Sequence, residues 1–209
     1  MARPSMTDAT AMLAGRDPVL DALMARHGVP PRRPTVPAPD RFAALAEAIV
    51  YQQLAGKAAA SIHGRFVAAV GGTVTPEAVL AADPGALAGC GLSAAKAGSI
   101  LDLAERVAGG DITLDRIGRL SDEQVVDHLT RVRGIGPWTA QMFLLITLGR
   151  PDVWPTGDFG VRAGFARAWG LGDTPTPKEL SVLGEPFRPY RSLVAWYCWR
   201  ELDIRSVVT

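Results

Sequence analysis

Apolar residues recur at spacings of three and four along nearly the whole 209-residue chain, and Gly, Pro, Ser, Thr and Asp punctuate them where helices begin and end. That period gathers apolar side chains on one stripe of a helix, whereas a half-buried strand needs strict alternation. No segment alternates convincingly, and no internal repeat or low-complexity tract appears, so the chain reads as all-α. After a loose leader of residues 1–12, Asp17-Pro18 opens a helix that runs to about His27 before Gly28. Pro30, Pro31, Pro34, Pro37 and Pro39 impose an extended connection, because each removes a backbone donor and biases its predecessor out of the helical region. Asp40 caps a helix with Phe42, Leu45, Ile49 and Val50 on its stripe, and Lys57 to Val70 forms the next, ending at Gly71-Gly72. Thr75-Pro76 and Ser93 start two more. Ser121-Asp122-Glu123-Gln124 matches a capping box, worth about 1 kcal/mol, opening the helix through Leu129. Further helices are expected at about 136–148, 158–169, 177–183 and 189–202.

Within that frame one run stands out: Leu129-Thr130-Arg131-Val132-Arg133-Gly134-Ile135-Gly136-Pro137-Trp138-Thr139-Ala140. A helix ending near Arg131, a two-glycine turn and a helix beginning near Gly136 make a helix-hairpin-helix. Gly134 and Gly136 permit positive φ and carry no Cβ, so backbone N–H groups there can approach a phosphate at the positive end of the next helix dipole. Pro137 costs nothing in the first turn, and Leu129, Val132, Ile135 and Ala140 pack the two helices together. Such a clamp grips a nucleic-acid backbone without reading its sequence. The plainer alternative is a glycine turn between any two helices. Downstream, Asp158 in Trp154-Pro155-Thr156-Gly157-Asp158-Phe159 is a solitary acid before a helical stretch, suited either to catalysis or to capping.

Composition restricts the rest. With 48% hydrophobic and 21% charged residues the chain has an ordinary soluble makeup, and its net charge of +1 means that a DNA site must come from local arrangement. From Leu129 onward ten Lys/Arg face seven Asp/Glu, a mild basic bias. No apolar run approaches a membrane span and no secretory leader is present, so a cytoplasmic protein is expected. Cys90 and Cys198 are too few for a disulfide framework or a four-thiolate cluster and read as reduced core residues. His27, His63 and His128 lack metal-ligand spacing.

Three separated segments together resemble the helix-hairpin-helix DNA glycosylases, in particular the alkylpurine branch typified by 3-methyladenine DNA glycosylase II. Ala48 through Ala59, containing Tyr51-Gln52-Gln53-Leu54-Ala55-Gly56, is similar to that branch's strand-wedging loop. Arg133 through Ala140 followed by Gly157-Asp158-Phe159 resembles its hairpin and catalytic aspartate, and Phe187 through Ser192 leading into Trp196-Tyr197-Cys198-Trp199-Arg200 resembles its closing helix. The likeness covers the chain from about Asp17 to Asp203.

The resemblance implies Asp158 as the catalytic carboxylate, stabilising positive charge on the sugar as the N-glycosidic bond breaks and orienting or deprotonating water. Members that also cut the sugar-phosphate backbone carry a Schiff-base lysine two residues after the second glycine; here that residue is Trp138. A monofunctional hydrolase leaving an abasic site is therefore expected, without cofactor or iron-sulfur cluster. Gln53 or Leu54 would fill the gap left by an extruded nucleotide, unless Leu54 simply packs in the core. Trp138, Trp199, Trp196, Met142 and Tyr51 are base-pocket candidates, with Arg162 a further one, because an indole face attracts the cationic ring of an N-alkylated purine. Gly134, Ile135, Gly136 and Thr139 would hold phosphate, and main-chain oxygens of Thr130, Val132 and Ile135 a monovalent cation.

The expected partner is double-stranded DNA containing alkylated bases, the expected state a monomer. The organisation expected is 1–39 (leader, helix and Pro-rich connection), 40–131 (helical subdomain with the wedge loop) and 132–209 (hairpin, acid and closing helices), one catalytic unit spanning 17–205. A DNA cleft lies between the two helical subdomains in such a fold, and no segment here corresponds to the N-terminal sheet domain of larger relatives. The rival functions are a non-catalytic hairpin module that docks DNA for a partner and a glycosylase for another lesion class.

Overall fold

The computed structural model describes residues 6–31, 35–54 and 56–203, and among these it is all-α with no strand. The helices in chain order are α1 (Met6–Leu13), α2 (Pro18–His27), α3 (Arg41–Tyr51), α4 (Gly56–Ala69), α5 (Pro76–Ala81), α6 (Pro84–Gly89), α7 (Ala94–Ala108), α8 (Asp122–Leu129), α9 (Pro137–Met142), α10 (Phe159–Trp169), α11 (Pro177–Leu183) and α12 (Arg191–Glu201).

Most starts follow from local chemistry. Asp17, Thr75 and Ser93 accept hydrogen bonds from the N–H groups of Leu20, Ala78 and Lys96, so each satisfies an orphan donor of the helix it opens. The Ser121–Gln124 capping box is fully formed, and Thr176–Glu179 forms a second one at α11. Three expectations are revised and one helix is added. Residues expected as a loose leader form α1, because Ala9 and Leu13 bury against their own unit. Asp40 makes no side-chain cap; it ends a 3₁₀ turn (Ala38–Asp40) that runs directly into α3. Asp83-Pro84 opens α6 by the same cap-and-proline signal that marks α2. The helix expected over 136–148 is α-helical only to Met142 and widens to a π turn over Phe143–Thr147, where the Leu148 N–H bonds the Phe143 carbonyl at 3.0 Å. The C-terminal limit expected at 205, Pro34 of the connection and Ala55 of the wedge segment lie outside the described residues.

The chain divides into two compact units, Met1–Pro34 with Gly149–Thr209, and Thr35–Leu148. This differs from the sequential division at 131/132, for a physical reason. The hairpin's Leu129, Val132, Ile135 and Ala140 are buried and its main chain is hydrogen-bonded to Gln52, which follows α3, and to Asp102 of α7, so it belongs with the middle of the chain.

In the unit 35–148, α5 packs on α7, α3 on α4 and α7, and α8 on α9. Phe42, Leu45, Ile49, Phe66, Val79, Ile100, Leu103 and Leu129 fill its core. Truncating any of these to Ala would cost about 2–5 kcal/mol. The other unit centres on α10 against α12. Gly164 permits that approach, since a Cβ there would fall on the Cys198 main chain. Around them Phe165 stacks on Trp169 with centroids 4.0 Å apart, the Trp154 indole donates to the Leu180 carbonyl at 2.8 Å, and the Tyr197 hydroxyl donates to the Gly28 carbonyl at 2.9 Å. Burial raises Tyr197 to about 12 and pushes the Cys198 thiol up as well. Cys90 and Cys198 are both free and buried. Among the described residues no helix is long and apolar enough to cross a membrane.

Candidate active site

Asp158 sits at the N-cap of α10 with extended backbone (φ −74°, ψ 119°), and its side chain accepts the Val161 N–H at 2.8 Å. It is 8% exposed, which an acid sustains only when its charge is met by donors. The second donor comes from across the unit: the Trp199 indole N–H reaches Oδ1 at 3.0 Å. Both bonds meet on one oxygen, so the carboxylate plane is fixed by a main-chain group and by a rigid ring at once. Capping and chemistry, alternatives from local sequence, are compatible in this geometry.

That bond revises the expectation for Trp199. The ring is 1% exposed and has no open face on which a base could stack. Its position on α12 makes it a support for Asp158 instead. Trp196, one turn earlier, is partly exposed, with the Arg200 guanidinium 5.6 Å from its centroid and the Tyr197 ring edge-on to it. Phe159 was not singled out in the sequence. Beside Asp158 it is 67% exposed, with the Arg162 guanidinium 5.7 Å from its centroid. An aromatic directly after the acid at the first helical position was the available signal. Arg162 itself is tied to the Pro175 carbonyl at 3.1 Å.

In the other unit the hairpin joins α8 to α9. Gly134 has φ 77°, the left-handed region that glycine enters at least cost, and a Cβ there would strike the Ser99 hydroxyl. Gly136 differs from expectation: its φ is −91°, so conformation does not demand glycine, yet a Cβ there would enter open space. It is the N-cap of α9 and supplies no side-chain cap, and Pro137 occupies the first turn. The turn is held from three sides. Asp102 Oδ2 accepts the Arg133 N–H at 2.7 Å, the Val132 carbonyl accepts the Ile135 N–H at 3.1 Å, and Gln52 Nε2 donates to the Gly134 carbonyl at 3.1 Å and to Thr139 Oγ1 at 3.2 Å. Burial pushes the Asp102 carboxyl up, but the Arg133 N–H and the Arg106 guanidinium outweigh it and hold it below its ordinary value.

Of the phosphate-binding candidates, Ile135 and Thr139 have buried side chains, and the Thr139 hydroxyl is engaged by Gln52, so Thr139 is left with its main chain for that role, whereas the Ile135 N–H is already taken by the Val132 carbonyl. Trp138 is 42% exposed, an open indole on the first turn of α9, whereas Met142 is 6% exposed and underlies that surface instead of facing solvent. Gln53 and Leu54 form an exposed tip between α3 and α4, Gln53 in the left-handed region at φ 55°, and Leu54 is not a core residue. Tyr51 is half-buried with its ring edge-on to His63. Among the described residues no cluster of three His, Cys, Asp or Glu is placed for a metal ion. The carbonyls of Thr130, Val132 and Ile135 are hard neutral oxygens whose chemistry suits an alkali cation, although that of Val132 already accepts the Ile135 N–H.

Comparison with known proteins agrees in both units. Residues 46–189 match the model of the HhH-GPD superfamily base excision DNA repair protein. The chain is 33% identical over 199 residues to DNA-3-methyladenine glycosylase 1 of Schizosaccharomyces pombe, covering 94% of this chain and 87% of that protein. It is 30% identical over 166 residues to putative DNA-3-methyladenine glycosylase YfjP of Bacillus subtilis, covering 76% of this chain and 58% of that protein's length. Among solved structures, S. pombe 3-methyladenine DNA glycosylase (Mag1) in complex with abasic DNA superposes with a TM-score of 0.82 at 32% identity, covering 92% of this chain and 95% of that one. DNA-3-methyladenine glycosidase of Bacillus halodurans gives 0.82 at 30% identity, covering 99% and 94%.

Proposed function

The chain belongs to the HhH-GPD superfamily of base excision DNA repair proteins, and on that premise we propose that it is a monofunctional glycosylase that hydrolyses the N-glycosidic bond of alkylated purines, 3-methyladenine foremost, in duplex DNA. The observation that carries this is the buried Asp158 carboxylate, pinned through Oδ1 by the Val161 N–H and the Trp199 indole in a chain of this family. As the C1′–N bond breaks, its electron pair leaves with the purine and positive charge develops on the sugar. A fixed carboxylate stabilises that charge and takes the proton of the attacking water, whose oxygen joins C1′. An N-alkylated purine is already cationic and leaves readily, so no strong general acid is required. Trp138 fits both halves of the chemistry. It stands where lyase members have lysine, so no Schiff base forms and the product is an abasic site; and its exposed indole offers a face to a cationic base, worth about 0.5–2 kcal/mol.

The main-chain N–H groups of Gly134, Gly136 and Thr139 would hold the DNA backbone, that of Ile135 being committed to the Val132 carbonyl, with Gln53 or Leu54 inserted where the nucleotide leaves the stack. Within its own unit Phe159, exposed beside the acid, and the partly exposed Trp196 would offer aromatic surface to the extruded nucleotide. A monovalent cation on the carbonyls of Thr130, Val132 and Ile135 would supply positive charge beside a bound phosphate. The chain would act as a monomer and without a redox or organic cofactor, wherever the genome is accessible.

The test is incubation with oligonucleotide duplexes each bearing one N-alkylated purine, detecting free base and strand scission separately before alkali. Release of base with an intact strand is expected. Binding without base release would favour a non-catalytic docking module, and strand cleavage before alkali would remove the monofunctional assignment.

A further inference from the structure

The exposed tip between α3 and α4 is seated on a polar brace that the apolar pattern of the sequence does not disclose. A helix leaves its last carbonyls without partners and the negative end of its dipole uncovered. At the end of α3 the Lys96 ammonium, from the first turn of α7, occupies that position, with Nζ donating to the Val50 carbonyl at 2.8 Å and to the Gln52 carbonyl at 2.7 Å. Gln52, its carbonyl so fixed, sends its side-chain amide to the hairpin, where Nε2 donates to the Gly134 carbonyl and to Thr139 Oγ1. Gln53 follows at once in the left-handed region, exposed, and Leu54 after it. Three hydrogen bonds thus converge on Gln52, immediately before the tip, and a fourth holds the Val50 carbonyl two residues earlier. Burial lowers the pKa of Lys96, in keeping with an amine drawn partly out of water.

We propose that Lys96 and Gln52 are positioning residues that hold the Gln53–Leu54 tip in its DNA-inserting conformation and join it to the phosphate-holding turn, so that grip and insertion act as one rigid element. The proposal rests on the assignment of this chain as a base-extruding glycosylase with that tip as its wedge. Its physical basis is entropy. An inserted side chain must hold a gap against restacking of the bases, and a loop that had to be ordered at that moment would spend binding energy on its own immobilisation. Here the ordering is done during folding, by a cation on the two carbonyls that flank Tyr51 and by an amide that spans to the hairpin.

Single-turnover base release by the full chain tests this, using one N-methylated purine placed either in a paired duplex or within a bubble of unpaired bases, where no gap has to be held open. Lys96→Met keeps the stem and removes the donors. It should slow release from the duplex about tenfold while changing release from the bubble less than twofold, with affinity for undamaged duplex within twofold of the parent. Lys96→Arg should restore most of the duplex rate, and Gln52→Ala should show the same selective loss, the melting temperature of each variant reporting that it is folded. An equal loss in duplex and bubble, or a parental duplex rate in Lys96→Met, would overturn the proposal. Failure of the parent chain to release base in either context would instead overturn the glycosylase assignment, and the brace with it.

Discussion

Two helix N-termini, at Gly136 and at Asp158, are finished in opposite ways. At α9 the cap is a glycine that makes no side-chain bond, and its surroundings are open. At α10 the cap is an acid whose own oxygen takes the Val161 N–H and the Trp199 indole, almost wholly buried. An end finished without a side chain leaves its positive pole to an anion from outside; an end finished with one turns that pole inward to hold a carboxylate. On the proposed function, the same helix physics would supply a grip in one unit and a reagent in the other.

The sharpest way to break the comparison is Asp158→Asn. Asparagine still caps a helix, so the fold should persist, but base release should fall by about 100-fold or more with DNA affinity retained. Single-turnover kinetics beside a binding titration would show this, and near-parental turnover would reduce Asp158 to a cap. Next in size is Gly134→Ala, where positive φ and the Ser99 hydroxyl both resist a Cβ: a loss of about 1–3 kcal/mol in denaturant stability is expected. Gly136→Ala, by contrast, should leave stability within about 0.5 kcal/mol and weaken undamaged-DNA binding and its salt dependence. If the two glycines behave alike, the turn is not divided into a conformational and an open position.

Trp199→Phe removes only the donor to Oδ1, besides some packing, and should lower kcat by about tenfold with KM nearly unchanged. Trp138→Ala, at an exposed ring, should cost about 0.5–2 kcal/mol in binding of a cationic lesion and little stability, measured against a neutral base analogue. The smallest effect concerns the far end of α12. Burial pulls the Glu201 carboxyl up, but hydrogen bonds from His27 and Arg26, at 2.7 and 2.6 Å, hold it below the ordinary 4.5. A folded-state pKa below the unfolded one gives stability that is present above that value and lost as pH falls through the depressed one. Glu201→Gln should therefore lower Tm by about 2–4 °C near neutral pH and converge with the parent in strong acid.

What was legible in the sequence was what local chemistry decides. The Ser121 box, the Asp17 and Thr75 caps and the positive φ of Gly134 depend on residues within three or four positions of each other, and the structure has them as expected. Asp40 failed as a cap because a preceding 3₁₀ turn had already set its backbone. Trp199 was placed among the pocket residues because aromatic identity is visible and direction is not; its partner lies 41 residues away. Gln52 and Lys96 stayed hidden for the same reason, since their partners lie 44 to 87 residues away and all but the Thr139 hydroxyl are main-chain carbonyls, which every residue carries. Of the site, the residue types at Asp158 and Trp138 could be read directly, while the division of labour between buried and open tryptophans required the fold.

Gly164 has no polar atom to offer the chemistry and lies well along α10 from the acid, yet it sets the clearance at which α10 lies on α12. The first helix carries Asp158 and the second Trp199, so the 3.0 Å bond between them depends on a clearance set at Gly164. A methyl group at position 164 would act as a shim, parting indole from carboxylate without changing the identity of either side chain. Loss of repair activity through that position would look, from the sequence of the site alone, like a lesion without a cause.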